Sequence, residues 1–120
     1  MDELRKQALA AAGVDVDAAL ARMMGSEALL LRLLKKFLDD QNFSKLQAAV
    51  AAGDQEAALA ASHTLKGVCG NLSMTALFDL LTRQVAAFRA GDWEGAAALL
   101  AEIAPAYARV VDAIREACAG

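Results

Sequence analysis

Residues 55–71 read Gln-Glu-Ala-Ala-Leu-Ala-Ala-Ser-His-Thr-Leu-Lys-Gly-Val-Cys-Gly-Asn, and they carry the only histidine of the chain. At about 100° per residue, a helix through this stretch places Ala58, Ala61, Leu65, Val68, Cys69 and Leu72 within roughly 60° of one direction. His63, Lys66, Gly67 and Gly70 fall on the opposite side. The first set is a core stripe, and the second faces water or a partner. Gly53-Asp54 ahead of the stretch reads as a stop followed by an N-cap, so the helix is expected over 55–71. Glycine inside a helix costs on the order of 1 kcal/mol relative to alanine. A chain rich in alanine nevertheless sets two glycines beside its histidine. Small residues within a turn of an imidazole leave the ring unshielded and let a bulky group approach.

Working outward, the same punctuation recurs. Residues 2–12 predict a short helix ended by Gly13, and a second runs from Asp15 to Met24 and stops at Gly25; both read as an appendage at the N-terminal end. Ser26 is an N-cap with Glu27 in the first turn. It opens a helix expected to end before Gly53, although Asp39–Ser44 interrupts the apolar pattern and leaves a kink or two helices open. Ser73 or Asn71 is expected to cap the next helix, whose stripe Leu77, Leu80/Leu81, Val85 and Phe88 reaches Gly91. The last helix begins near Trp93 and ends at Cys118, with Pro105 expected to kink or split it. Trp93 reads as a plug at the bundle end, and Phe37, Phe78 and Phe88 as packing. Met23 and Met24 are expected to pack at a helix end.

With 120 residues, 58% hydrophobic content, 5% aromatics and one proline, the chain suits one helical domain burying about two-thirds of its unfolded surface. β-branched residues are too scarce for a sheet. The expected fold is all-α: an antiparallel up-down four-helix bundle over 26–118 with short N-terminal helices over 1–25, all in one domain of residues 1–120.

Several function classes fall away. The formal charge is −3 with no lysine run, which argues against nucleic acid, since affinity for phosphate backbones comes from clustered Lys and Arg. The longest apolar run, Ala96 to Ala101, is far short of the ~20 residues a membrane span needs. The mixed charges of Met1–Lys6 are unlike a secretory leader, so Cys69 and Cys118 read as reduced core thiols in a cytoplasmic protein. There is no second histidine, no C-x-x-C and no E-x-x-H for a metal, and no glycine-rich nucleotide loop. Asp54, Glu56 and Asp79 do not sit one turn from His63 on its face, so no hydrolytic triad forms on the helix. What remains is the nucleophilicity of imidazole, which in water is largely neutral near pH 7. His63 can take a phosphoryl group on nitrogen, and Lys66 one turn on can offset the charge. Leu59, at the edge of the same face, would be useful at an interface.

The stretch Ala61-Ser62-His63-Thr64-Leu65-Lys66-Gly67-Val68-Cys69-Gly70-Asn71-Leu72 resembles the motif of histidine-containing phosphotransfer (HPt) domains: small residues, then His-x-Leu-Lys-Gly, then glycine and an apolar residue. The segment Gly13–Phe37 is similar to that family's entry into its bundle, and the likeness runs over roughly residues 13–115. The resemblance implies that His63 accepts a phosphoryl group from a receiver-domain aspartate, or from a histidine kinase or hybrid kinase, and passes it to another receiver. It implies that Lys66 neutralises the phosphoryl oxygens and that Ser62, Gly67 and Gly70 belong to the docking surface. Magnesium and the acidic pocket would come from the receiver, so the chain would be a carrier and not an enzyme, with no cofactor of its own. The family often has a glutamine that orients the imidazole; Gln84 is that residue by type, while the register points to Val85. The chain departs from the family at Ser73 and Met74, where smaller residues are common, and Met74 could either reshape the surface beyond the histidine or pack under it. A scaffold that docks receivers without transferring phosphate is the alternative. A monomer is expected, because the His63 face is not strongly apolar, and Met1 together with the C-terminal Ala-Cys-Ala-Gly reads as a free protein.

Overall fold

The computed structural model describes residues 1–119. Among these residues the chain forms eight helices, and the only β pairing is an isolated bridge between Val14 and Met74. They are α1 (Glu3–Ala11), α2 (Val16–Arg22), α3 (Glu27–Phe37), α4 (Asn42–Ala52), α5 (Gln55–Asn71), α6 (Thr75–Arg89), α7 (Trp93–Ala98) and α8 (Leu100–Cys118). The all-α expectation holds.

Most starts follow the capping chemistry read from the sequence. The carboxylates of Asp2, Asp15, Asp54 and Asp92 and the hydroxyl of Ser26 each accept an amide three residues on, satisfying one orphan donor of their helix. Gly53 sits in the left-handed region at φ 69, ending α4 and allowing Asp54 to cap α5 immediately.

Between Ser26 and Gly53 there are two helices, not one. Asp40 Oδ1 accepts the amide of Asn42 at 2.8 Å and its side-chain NH2 at 3.0 Å, a local side-chain turn that competes with helix continuation. Tyr107 of α8 seals this corner, with its ring 4.2 Å from Phe43 and 5.5 Å from Phe37. The final helix is also interrupted, yet α8 runs unbroken through Pro105 and the discontinuity falls at Leu99. Pro105 and Ala101, the residue whose carbonyl loses its donor, are both exposed, so water can serve the carbonyl. At the actual break Gln84 Nε2 donates to the Ala96 carbonyl at 3.0 Å, a side chain entering the ladder.

Ser73 caps nothing. It adopts φ 53, its hydroxyl is buried with no hydrogen-bond partner among the described residues, and the N-cap of α6 is Met74, which makes no side-chain capping bond. The turn is held instead by bonds to the Gly13–Asp15 segment: the Asp15 amide donates to the Ser73 carbonyl at 2.8 Å, and the Thr75 hydroxyl to the Gly13 carbonyl at 3.1 Å. Met74 is fully buried, so of the two expectations for it the structure shows packing into the core.

The N-terminal helices are not an appendage. Leu9, Val14, Val16 and Ala19 are buried in the same core as Leu30, Leu65, Leu81 and Ile114. α1 packs along α8, where the Arg5 guanidinium donates to the Ala119 carbonyl. Met23 joins this core, but Met24, at φ 55, is 97% exposed. Trp93 lies against Phe88 with ring centroids 5.8 Å apart.

Candidate functional site

The packing of α5 against α6 sets which way His63 points. Gly70 meets Phe78, Ser62 meets Gln84 and Gln55 meets the Phe88 carbonyl, so positions rise along α6 as they fall along α5. The two helices are therefore antiparallel. α4 covers a second flank of α5. Ala58, Ala61, Leu65, Cys69 and Leu72 are buried and Val68 is half-buried, as the periodicity required. His63 and Gly67 are exposed, and Lys66 and Gly70 are half-exposed on the outer face. With a rise of about 1.5 Å per residue, Lys66 and Gly67 follow the histidine by about one turn.

Two residues expected to act at the histidine belong to the interior. Ser62 and Gln84 are wholly buried, and the Ser62 hydroxyl donates to Gln84 Oε1 at 2.8 Å. Gln84 Nε2 is committed to the Ala96 carbonyl. Both ends of the amide are thus occupied away from His63, which corrects the expectation that Gln84 orients the imidazole and that Ser62 meets a partner. The buried pair instead ties α5, α6 and α7 together, and satisfied polar contacts of this kind specify one packing arrangement. Val85, the residue favoured by register, is buried and apolar. Leu59 is half-buried against the core, with only part of its side chain available to a partner.

Gly67 and Gly70 differ. A Cβ on Gly67 would meet nothing within 4 Å, whereas one on Gly70 would stand 3.1 Å from Phe78 Cε2. The ring that fills this space also receives Lys66, whose Nζ lies 5.7 Å from its centroid. Phe78, read from sequence as packing, is thus part of the site's surroundings; the signal was a helical glycine opposite an aromatic residue. Arg22 was not anticipated at all. Its guanidinium donates to the Gly70 carbonyl, bringing a cation from α2 to the end of the outer face.

The buried side carries the perturbed thiol. Desolvation, reinforced by the charge of Asp40, pushes Cys69 up to about 12, keeping it a protonated core residue. Tyr107 is raised for the same first reason. Neither cysteine forms a disulfide. Among the described residues no three His, Cys, Asp or Glu side chains converge to hold a metal ion, and no helix is long and apolar enough to cross a membrane.

The arrangement, then, is an exposed imidazole with an ammonium one turn away and unobstructed space at Gly67. It can accept an electrophile brought by another molecule. The sequence model described as the Hpt domain matches residues 29–117. No curated protein and no solved structure matches the chain.

Proposed function

The chain belongs to the Hpt domain family and so has a phosphotransfer role in two-component signalling; from that premise we propose that His63 is the residue that carries the phosphoryl group. The observation that supports this most is that the chain's one histidine stands exposed on α5, with Lys66 and Gly67 a turn away, inside the matched segment. In the proposed step the lone pair of a ring nitrogen of His63 attacks the phosphorus of a receiver aspartyl phosphate. An N–P bond forms, the P–O bond to the acyl oxygen breaks, and that electron pair leaves on the receiver carboxylate. The reverse step loads a second receiver. Lys66 offsets the charge of the phosphoryl oxygens, and Gly67 admits the partner's active site.

Catalysis sits mainly on the partner, which supplies magnesium and the acidic pocket, and this chain acts as a carrier without a cofactor of its own. The kinase side of the relay is a histidine kinase or hybrid kinase. Residues 1–120 act as one domain, monomeric and cytoplasmic.

The test is incubation of the wild type and His63→Ala with a receiver domain phosphorylated on aspartate. Acid-labile, alkali-stable label is expected on the wild type only, returning to fresh receiver on mixing. Binding of receivers with no label on the wild type would overturn the carrier reading in favour of a docking scaffold.

A further inference from the structure

Lys66 does not project freely into solvent. Its ammonium lies over the Phe78 ring, 5.7 Å from the centroid, and its side chain is half-exposed. The ring reaches this position because Gly70 has no side chain: a Cβ there would stand 3.1 and 3.2 Å from two ring carbons. Phe78 is anchored in the first turn of α6, where its amide donates to the Met74 carbonyl at 2.8 Å. It differs from Phe37 and Phe88, which are buried, in presenting part of its ring at the surface.

A lysine side chain has four rotatable carbons and loses much rotamer freedom when it is held in one geometry. A ring face attracts an ammonium through its quadrupole, which an aliphatic side chain of similar volume cannot do. We propose that Phe78 is a positioning residue for Lys66: its ring holds the ammonium on the His63 face, so that the cation is already nearly ordered when a phosphoryl group arrives. Gly70 is the opening that admits the ring, so its role is separate from that of Gly67, around which space is open. This inference rests on the reading that His63 carries the phosphoryl group and Lys66 offsets its charge.

The experiment measures how label partitions at equilibrium between His63 and a phosphorylated receiver domain. It compares the wild type, Phe78→Leu, Phe78→Tyr, Lys66→Ala and the double variant Phe78→Leu/Lys66→Ala. Phe78→Leu is expected to shift the partition away from His63 by about threefold, the scale of an exposed cation–π contact. Phe78→Tyr keeps the ring and is expected to stay at the wild-type value. In the Lys66→Ala background Phe78→Leu is expected to have no further effect. Equal effects of Phe78→Leu in both backgrounds, a Tyr variant no better than Leu, or a shift towards His63 would each overturn the proposal. An unlabelled wild type would instead overturn the carrier reading. In that case proton NMR still tests the contact itself: the Lys66 ε-methylene resonances should be shifted upfield by the ring and move back in Phe78→Leu, and unshifted resonances in the wild type would remove the basis of the inference.

Discussion

The two faces of α5 are built on opposite terms. The inner face holds Ser62, Leu65 and Cys69 without solvent contact, and its one buried serine has found a partner in Gln84. On the outer face His63 and Gly67 are exposed, and Lys66 rests on a ring at the surface. One helix thus combines an interior that tolerates little change with a surface that is loosely committed. Rigidity inside is what allows reactivity outside, because a histidine that must meet another protein needs a fixed backbone beneath it and little around it.

The strongest way to break this contrast is to compare Leu65→Ala with His63→Ala. Truncating the buried leucine is expected to cost about 2–5 kcal/mol through lost burial and the cavity left behind. His63→Ala should stay within about 0.5 kcal/mol of the wild type, as exposed positions do, while losing all label. Urea unfolding measures the first and transfer from a phosphorylated receiver the second. Equal destabilisation by the two changes would show that the outer face is also structural.

Next comes the buried polar pair. Gln84→Leu leaves the Ser62 hydroxyl and the Ala96 carbonyl without their present partner, for an expected loss of about 1–3 kcal/mol. Adding Ser62→Ala should recover part of it, since two apolar partners leave fewer polar groups stranded. Denaturant midpoints of the three variants decide this, and a strictly additive pair would remove the Ser62–Gln84 coupling.

The third prediction concerns pH. A Cys69 thiol raised from 9.0 to about 12 keeps its proton in the folded state after the unfolded thiol has ionised. Its contribution to stability is therefore complete below about pH 9 and is lost as pH rises from 9 towards 12. By pH 10.5 the expected loss is about 2 kcal/mol, to which Tyr107 adds in the same direction. Unfolding followed from pH 7 to 10.5 should show this alkaline decline, reduced in Cys69→Ala; a variant that declines as steeply as the wild type would place the titration elsewhere.

The smallest effect separates the two glycines. Gly67→Ala should stabilise α5 by about 0.5–1 kcal/mol, because the new methyl meets nothing and helix propensity rises. Gly70→Ala gains the same propensity but presses on Phe78, so its melting temperature should rise less or fall. Thermal melts of both variants check this, and a larger gain at Gly70 would mean that the ring moves aside without penalty.

How far the sequence could be read depended on whether the deciding partner was local. Asp54, Ser26 and the stripe Leu65–Cys69–Leu72 act within one or two turns, and helical periodicity exposed them. The Ser62–Gln84 contact spans 22 positions, and nothing within either helix announced it. Ser73 has the composition of a cap, yet tertiary contacts around the Gly13–Asp15 turn drew it into a left-handed conformation. Pro105 is the break the sequence announces in the last helix, but on an exposed face its missing hydrogen bond is cheap, and the discontinuity falls earlier, where Gln84 bonds the Ala96 carbonyl. The short α1 and α2 run for only about two turns each, too short for a periodic stripe to declare them part of the core.

By itself the sequence determined that the chain would be helical, where most helices begin and end, and that His63, Lys66, Gly67 and Gly70 share the face opposite a core stripe. These are consequences of local propensity and of the 3.6-residue repeat. Only the tertiary structure decided that Gln84 faces Ser62 and not the imidazole, that Phe78 fills the space at Gly70 beneath Lys66, and that Arg22 reaches the end of that face. Those pairings depend on the rotation and register of helices brought together from distant parts of the chain, quantities that close packing sets and that no single helix contains.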